Sequence, residues 1–460
     1  MLRHACLRNG RMCKGWSWRK IASNRSRIWG IFGGPPMGED SRLRGKVKAQ
    51  ITRFASQLSA GWRKPLRRFA REMLYGIQAA EDVKVSEIAR SLGEPIRLLK
   101  TETRLCRNLA GTDLTDRINR FLAWEGAGRV GPETVLALDL GDLTKPYAKA
   151  MEHLARVRDG STGQLARGYW LCEVVAAEVC GDRIVPLYGE LYSHEAEGFE
   201  SENAQLWRAI DRVSEATGGR GLWAIDRGGD RRELLIPLLD RRLRFVVRSE
   251  GRRHVVLPGG RRCAVREAAR WCRTEIEREV EAERDGCRTR LRLRLGSMRV
   301  YLPERTLTPL ELVVIRGFGA EPILLLTNVP RKAGTRYAAF IADVYLVRWK
   351  CEETYRFVKQ AYHLEDVRVR GYVALRNMYA LVTAVLYFVS MVIGGRSKVN
   401  LIFKRVCEKA KRFYGVAAFF QYAVADGIHR LLNGTPLGSL PAPRPTDDAQ
   451  LAFAFTKPPP

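Results

Sequence analysis

The chain has 460 residues, with 79 Lys or Arg against 50 Asp or Glu, so its formal net charge is +29. A hydrophobic content of 46% excludes a disordered or fibrous chain, and the length allows roughly two to four domains. The cationic excess is too large for a single patch and indicates a polyanionic partner, unless an arginine-rich gene composition produces it.

Residues 1–45 are predicted to be a basic N-terminal extension. Residues 1–36 hold eight Lys or Arg and no acid, and no apolar segment follows them, which excludes a secretory signal. Two interpretations stay open. The segment is either a basic arm that contacts DNA, or the product of a start codon placed too early, with Met37 as the true first residue.

Residues 46–130 are predicted to form a helical DNA-binding domain. Within them, "VSEIARSLGEPIRLLKTETRLCRNL" is typical of a helix, a turn at Gly93 and a second helix. Arg97, Lys100 and Arg104 recur at helical spacing in the second helix and form one basic stripe. In a helix-turn-helix motif this stripe contacts DNA; the alternative is a solvated helix face.

Residues 131–250 have the texture of strands alternating with helices. Two of the strands, "VLALD" and "LWAID", are apolar runs that end in Asp139 and Asp226. A carboxylate at the end of a buried strand is held rigidly at the edge of a sheet, where catalytic groups are favoured. An aspartate that only caps a turn is the ordinary alternative at each position.

Residues 251–320 are predicted to be rich in β-hairpins, the clearest being "EREVEAERDGCRTRLRLRLG". The Asp285-Gly286 dipeptide favours a two-residue turn, which sets every second arginine of one strand opposite a glutamate of the other. The pattern predicts that these arginines chiefly face their own glutamates, and that the other face of the hairpin packs on a core.

Residues 321–395 resume the buried-strand and helix texture, and residues 396–460 are predicted to be a helical region with a loose tail. A helix is predicted from 338 to about 364. The longest apolar run, 378–393, is shorter than the roughly 20 residues that span a membrane, so a buried helix and no membrane contact are predicted. The ten cysteines lack C-x-x-C or Cys/His spacing, which predicts reduced thiols in a cytoplasm and no zinc.

The stretch "YLVRWKCEETYRFVK" carries the most specific pattern in the chain. Tyr345, Arg348, Glu352 and Lys359 fall within about 60° of one helical face, since an α-helix turns by about 100° per residue. A buried core helix would present an apolar stripe there. The pattern instead predicts that a tyrosine, two cations and a carboxylate face a common site.

Three carboxylates brought together repel each other unless a hard cation neutralises them. Asp139, Asp226 and Glu352 are therefore predicted to hold two Mg²⁺ ions, with Mn²⁺ as a substitute, and to catalyse an in-line displacement at phosphorus. Arg348 and Lys359 would hold DNA phosphates near the reacting bond.

The spacing Y-x2-R-x3-E-x6-K, filled by Tyr345, Arg348, Glu352 and Lys359, resembles the signature of DDE transposases of the bacterial insertion-sequence-four family. The Arg348-Trp349 pair and the "DRGGD" stretch that starts at Asp226 are similar to that family's usual texture. The resemblance implies an α/β fold: an RNase H-like mixed sheet flanked by helices, interrupted by a β-rich insertion, with an N-terminal helical DNA-binding region.

The resemblance also implies function and partners. It predicts a DNA transposase that cuts the ends of an insertion sequence and joins them to target DNA, acting as a homodimer on terminal inverted repeats in a bacterial cytoplasm, associated with the nucleoid. Tyr345, Arg348, Trp349 and Lys359 would contact the DNA. Two alternatives stay open: an inactive DNA-binding relic of a mobile element, and a host nuclease on the same fold.

The first aspartate is the least certain match to this pattern. The chain reads "LDLGDLTKPY", in which Asp139 matches the strand end while Asp142-Leu143-Thr144 matches the family's D-x-T letters. We favour Asp139 as the first metal ligand and keep Asp142 as the alternative.

Overall fold

The computed structural model describes residues 7–8, 11–12, 37–160, 162–179, 181, 183–284, 287–331, 336–393 and 421–434. The predictions for the basic segment before Met37 lie almost wholly outside these residues. So do the Asp285-Gly286 turn and most of the predicted tail at 396–460. Near the start of the chain, Leu7–Arg8 pairs with Arg11–Met12.

The described helices follow one another as α1 (Met37–Leu58), α2 (Lys64–Ala80), α3 (Val85–Leu92), α4 (Leu98–Leu109), α5 (Thr115–Ala127), α6 (Glu202–Thr217), α7 (Arg232–Asp240), α8 (Val265–Trp271), α9 (Tyr337–Val347), α10 (Trp349–Ala361), α11 (Tyr372–Tyr387) and α12 (Gln421–Asn433). The strands of the main sheet are β1 (Val135–Thr144), β2 (Ala155–Arg158), β3 (Leu165–Ala177), β4 (Ile184–Tyr192), β5 (Leu222–Ile225), β6 (Phe245–Ser249), β7 (His254–Val256), β8 (Arg262–Ala264), β9 (Ile276–Arg284), β10 (Cys287–Leu302), β11 (Arg305–Arg316) and β12 (Ile323–Thr327).

The N-terminal helices include the predicted helix, Gly93 turn and helix, which are α3 and α4. Gly93 ends α3 in the left-handed region at φ 59°. Helix α1 begins at Met37 and crosses the predicted boundary at 45/46. Helix α5 lies so close to β4 that a Cβ on Gly126 would come within 2.4 Å of a Leu187 methyl carbon, so only glycine fits there.

The centre of the molecule is a mixed sheet with the strand order β4-β3-β1-β5-β6. Strands β1, β5 and β6 are parallel, and β3 is antiparallel to both β1 and β4. Buried residues follow one another in these strands instead of alternating with exposed ones. This pattern is expected for strands that are covered by helices on both faces. The predicted fold class, an RNase H-like mixed sheet flanked by helices, is confirmed.

The β-rich insertion continues this sheet. Strand β12 pairs antiparallel with β6, and β11, β10 and β9 follow outward, while β7 and β8 lie at the far end of a sheet of 12 strands. The edge of the central sheet at β6 is therefore hydrogen-bonded to β12. The insertion packs its apolar face inward, with Val280, Leu293 and Leu295 buried.

The predicted register of the β9–β10 hairpin is confirmed. Glu277 lies opposite Arg294 and Glu279 opposite Arg292, and the pairing continues to Arg284 opposite Cys287. The expected ion pairs do not form among the described side chains of the hairpin. The residues concerned are exposed and have no salt bridge there: Glu277, Glu279, Arg292 and Arg294. Exposed pairs gain little from such contacts, because two long side chains must be held in one geometry.

The helix predicted from 338 to about 364 is two helices, α9 and α10, that meet at Arg348. The backbone N–H groups of Arg348 and Cys351 bond three residues back, to Tyr345 and Arg348, rather than four. This tighter turn interrupts the regular helix and turns the Arg348 side chain inward.

One described helix, Tyr372–Val392, is long and apolar enough to cross a membrane by length and composition. Of its most apolar window, 89% is buried inside the protein, where it packs against β4 and the N-terminal helices. The apolar run at 378–393 is therefore core, as predicted.

Candidate active site

Two aspartates lie side by side on adjacent parallel strands. Leu138 of β1 is paired with Ile225 of β5, so the residues that follow, Asp139 and Asp226, are neighbours across the sheet. Asp226 follows the last residue of β5, as predicted. Asp139 does not end its strand, because β1 continues to Thr144 along β3. The expectation of two matching strand ends was wrong for Asp139.

Tyr355 explains why β1 continues past Asp139. Its hydroxyl donates a hydrogen bond to the carbonyl oxygen of Asp139 at 2.9 Å. Its ring lies over Gly141, where a Cβ would come within 2.8 Å of the ring. The polar-looking "LGDLT" is thus covered strand rather than loop, and Asp139 is fixed by its backbone as well as by its neighbours.

The junction of α9 and α10 lies over both aspartates. The Tyr345 hydroxyl donates to Asp226 Oδ1 at 2.7 Å. The Arg348 guanidinium donates from Nη1 to Asp139 Oδ2 at 3.1 Å and from Nη2 to Glu352 Oε1 at 2.8 Å. The structure therefore brings Asp139, Asp226, Glu352, Tyr345 and Arg348 together, with the guanidinium between two of the three carboxylates.

The three carboxyl groups of the site have shifted pKa values. Burial raises the pKa of Asp139 to about 7, and Glu352 and Asp226 add to the rise against the effect of Arg348. Burial likewise raises the pKa of Glu352, again opposed by Arg348. The pKa of Asp226 is lowered despite its burial, because Arg348 and the Tyr345 hydroxyl stabilise its charge.

Lys359 faces the alternative aspartate instead. Its Nζ lies 3.1 Å from Asp142 Oδ2 and 3.1 Å from Glu365 Oε1. Burial alone would lower the pKa of Lys359, but these two carboxylates raise it. Asp142 Oδ1 accepts the backbone N–H of Gly160 at 3.0 Å. The partner of Asp142, Lys359, lies more than one helical turn along α10 from Glu352. Asp142 is therefore outside the carboxylate group around Arg348.

The remaining predicted DNA contacts fall in two places. Trp349 is 48% exposed at the rim of the site, with the Arg348 guanidinium 5.8 Å from its ring centre. On α4 and its N-cap, Arg97 and Lys100 are exposed and form no ion pair among the described side chains. Arg104 is engaged by Glu72 and Glu94 at 2.7 and 2.6 Å, so its charge is neutralised within the helical region.

Of two further charged residues near the site, Arg248 was missed from the sequence and Asp230 was noted only as part of "DRGGD". Arg248 of β6 places Nη1 3.7 Å from Asp226 Oδ1. Asp230, the last residue of "DRGGD", accepts hydrogen bonds from Ser249 Oγ at 2.7 Å and from the backbone of Glu250 at 3.0 Å, and so ties the segment after Asp226 to the end of β6. The signal for Arg248 was a charge directly after the apolar run "FVV" of its strand.

The carboxylates suit a hard cation by their chemistry. All three offer oxygen donors, and repulsion among them adds to the effect of burial in raising the pKa values of Asp139 and Glu352. In the described part of the chain, however, no group of three or more His, Cys, Asp or Glu side chains is arranged to hold a metal ion. Arg348, whose buried Nε has no hydrogen-bond partner, lies between two of the three.

A buried glutamate beside the site gives a stability prediction. Glu173 lies opposite Asp139 in the β1–β3 register and accepts hydrogen bonds from Thr354 and Tyr379. Burial raises its pKa to about 7. Because the folded state then binds the proton more tightly than the unfolded state, the folded protein should lose stability as the pH rises from about 4.5 to about 7.

We therefore expect Glu173→Gln to raise the melting temperature by a few degrees at pH 8 and to change it little at pH 5. The amide fits the site, because the Thr354 hydroxyl can give its single proton to the carbonyl oxygen of Cys351 and accept from the new amide N–H group. Thermal unfolding of both proteins across this pH range checks it. An equal shift at every pH would contradict the assigned pKa.

Comparison with known proteins gives a fold likeness only. A scan of protein-family models found no match to the chain, and a search of curated proteins also found none. Among solved structures, the chain is similar to the piggyBac transposase in its synaptic complex with hairpin DNA. The TM-score is 0.43 and the sequence identity 10%, over 84% of this chain and 77% of that one.

Proposed function

We propose that this protein is a DNA transposase of the DDE type, which cuts the ends of an insertion sequence and joins them to target DNA. The observation that carries the proposal is the meeting of Asp139, Asp226 and Glu352 around Arg348, on two adjacent strands and one helix. Residues 87 and 126 positions apart in sequence converge on a helix whose charged face the spacing pattern had singled out.

Asp139, Asp226 and Glu352 would hold the divalent ions, Mg²⁺ or Mn²⁺. When bound, a pair of such ions activates the attacking oxygen and stabilises the leaving oxygen at phosphorus. The protein's part is to fix the carboxylates, and it does so with β-strand backbone and with the Tyr355 hydroxyl on the Asp139 carbonyl. Rigid support of this kind is what such a reaction needs from its scaffold.

Arg348 has two roles in this proposal. In this structure it forms ion pairs with Asp139 and Glu352. With DNA bound, its guanidinium is the group best suited to hold a phosphate in the fork geometry that arginine shares with oxyanions. Tyr345 holds Asp226 by its hydroxyl, and exposed Trp349 offers a ring on which a base can stack.

The proposed partners are double-stranded DNA with terminal inverted repeats and a target duplex, bound by a homodimer in a bacterial cytoplasm. The net charge of +29 supports a polyanionic partner. The exposed Arg97 and Lys100 on the N-terminal helices are candidates for contacts to the terminal repeats. Assignment to the insertion-sequence-four family is part of the proposal and rests on Tyr345, Arg348, Glu352 and Lys359.

A plasmid excision assay tests this function. The gene's own flanking DNA is cloned around a marker on a supercoiled plasmid and incubated with the purified full chain and about 5 mM Mg²⁺, a concentration of the kind that fills such sites. Excision at the flanking repeats is expected, and EDTA should abolish it. Cutting without regard to the repeats would indicate a host nuclease instead, and DNA binding without cutting would indicate an inactive relic.

A further inference from the structure

The hairpin β2–β3 carries arginines that nothing in the proposed reaction uses. Arg156 and Arg158 alternate with buried residues along β2, so both point to solvent on the same face. Arg156 lies directly opposite Arg167 of β3. Like charges directly opposite on paired strands destabilise a sheet, so this pair costs stability unless an anion lies against it.

No anion from the described part of the chain does so. Arg156, Arg158 and Lys149 form no ion pair with any described side chain, and Arg167 reaches only the backbone carbonyl of Ala148, at 3.5 Å. The nearby acids are occupied. Glu152 accepts the backbone N–H of Tyr372 at 2.7 Å.

These residues share a groove that is open to solvent. Lys149, Arg156 and Arg167 line a volume of about 480 Å³ together with His194 and Glu195, the single acid among its lining residues. Glu195 in turn lies 3.4 Å from His194. The groove therefore presents an excess of positive charge on a strand edge rather than a balanced surface.

The hairpin is joined to the far end of the strand that carries Asp139. The backbone N–H of Gly160, in the turn after β2, donates to Asp142 Oδ1, and the Lys145 N–H donates to the Arg167 carbonyl oxygen at 2.6 Å. Asp142 and Lys145 belong to or follow β1, the strand that carries Asp139. A long polyanion on the hairpin would therefore lie next to the C-terminal end of β1.

We propose that Lys149, Arg156, Arg158 and Arg167 form a binding surface for the phosphate backbone of duplex DNA. Alternate residues of a strand are about 6.7 Å apart, which is about the axial rise of two nucleotides on one DNA strand. Arginines on an edge strand also prevent edge-to-edge pairing. That role would account for Arg156 and Arg158, but not for Arg167, which lies opposite Arg156, or for Lys149 in the preceding loop.

The test is DNA binding by the full chain, measured by fluorescence anisotropy in EDTA with a labelled duplex of arbitrary sequence at several salt concentrations. We expect Arg156→Ala/Arg158→Ala to weaken binding about 10-fold near 0.1 M salt and to reduce the salt slope by about 1.8. Because no cleavage is needed, the result does not depend on the proposed reaction. A second duplex carrying the gene's flanking repeats should show the same loss.

The matched control is Arg129→Ala/Arg242→Ala. These arginines are also exposed. They precede β1 and β6 and so lie near the N-terminal ends of the parallel strands, away from the carboxylates. An equal loss of affinity in the control would overturn the proposal, since net charge alone would then explain binding. Unchanged DNA binding by Arg156→Ala/Arg158→Ala would also overturn it. The same holds if this variant binds phosphatidylserine vesicles more weakly but binds DNA as the wild type does. Arg156→Lys/Arg158→Lys, which keeps both charges, should bind nearly as wild type, and this guards against an effect of misfolding.

Discussion

Glu352→Gln should abolish end cleavage and strand transfer while leaving DNA binding intact. The substitution keeps the shape of the side chain but removes the charge that α10 contributes to the carboxylate group, where Glu352 bonds Arg348 at 2.8 Å. We expect cleavage to fall by at least about 1,000-fold, which corresponds to about 4 kcal/mol of transition-state stabilisation. Single-turnover cleavage of a labelled end, with binding measured in parallel, checks this.

The neighbouring residue provides the control. Glu353 is on the same helix and is half-buried, but it pairs with Arg356 and not with Arg348. Glu353→Gln should therefore keep nearly full cleavage. If Glu352→Gln cleaved at a wild-type rate, or lost DNA binding and folding together with cleavage, Glu352 would not have the proposed catalytic role.

Asp139→Asn should abolish cleavage, whereas Asp142→Asn should leave it measurable. Asp139 shares Arg348 with Glu352 and lies beside Asp226. Asp142 instead bonds Lys359 and the turn after β2. We expect a loss of at least about 1,000-fold for Asp139→Asn and of roughly 10-fold for Asp142→Asn, the latter because Lys359 loses a charged partner.

The same cleavage assay decides between the two aspartates, with thermal unfolding to confirm that both variants fold. Full activity of Asp139→Asn together with no activity of Asp142→Asn would reverse the assignment. It would also mean that the carboxylates rearrange on binding DNA, since in this structure Asp142 bonds Lys359 instead of Arg348.

Local patterns in the sequence predicted much of this structure. The alternation on either side of Asp285-Gly286 predicted the β9–β10 register, because a two-residue turn leaves a single pairing. The helical spacing of Tyr345, Arg348 and Glu352 predicted a shared face, because a helix repeats every 3.6 residues. Both features depend on residues close together in the chain.

Contacts between distant segments were beyond that reach. The pattern predicted that Arg348 holds a DNA phosphate, but its spacing cannot reveal that two carboxylates bond the guanidinium in this structure. The strand "VLALD" was predicted to end at Asp139 because nothing in the following "LGDLT" signals Tyr355, which packs over Gly141 from more than 200 residues away. In the same way, the sequence could not reveal that Arg104 pairs with Glu72 and Glu94.

The pairing of β6 with β12 has a consequence for the architecture as a whole. Removing β7 to β12 would leave the backbone amide and carbonyl groups of Val246, Val247 and Arg248 facing water, and such an exposed strand edge favours association with other chains. A variant reduced to the five central strands should therefore precipitate. In this protein β12 and the inserted strands beyond it cover the edge of the central sheet at β6, which would otherwise be exposed.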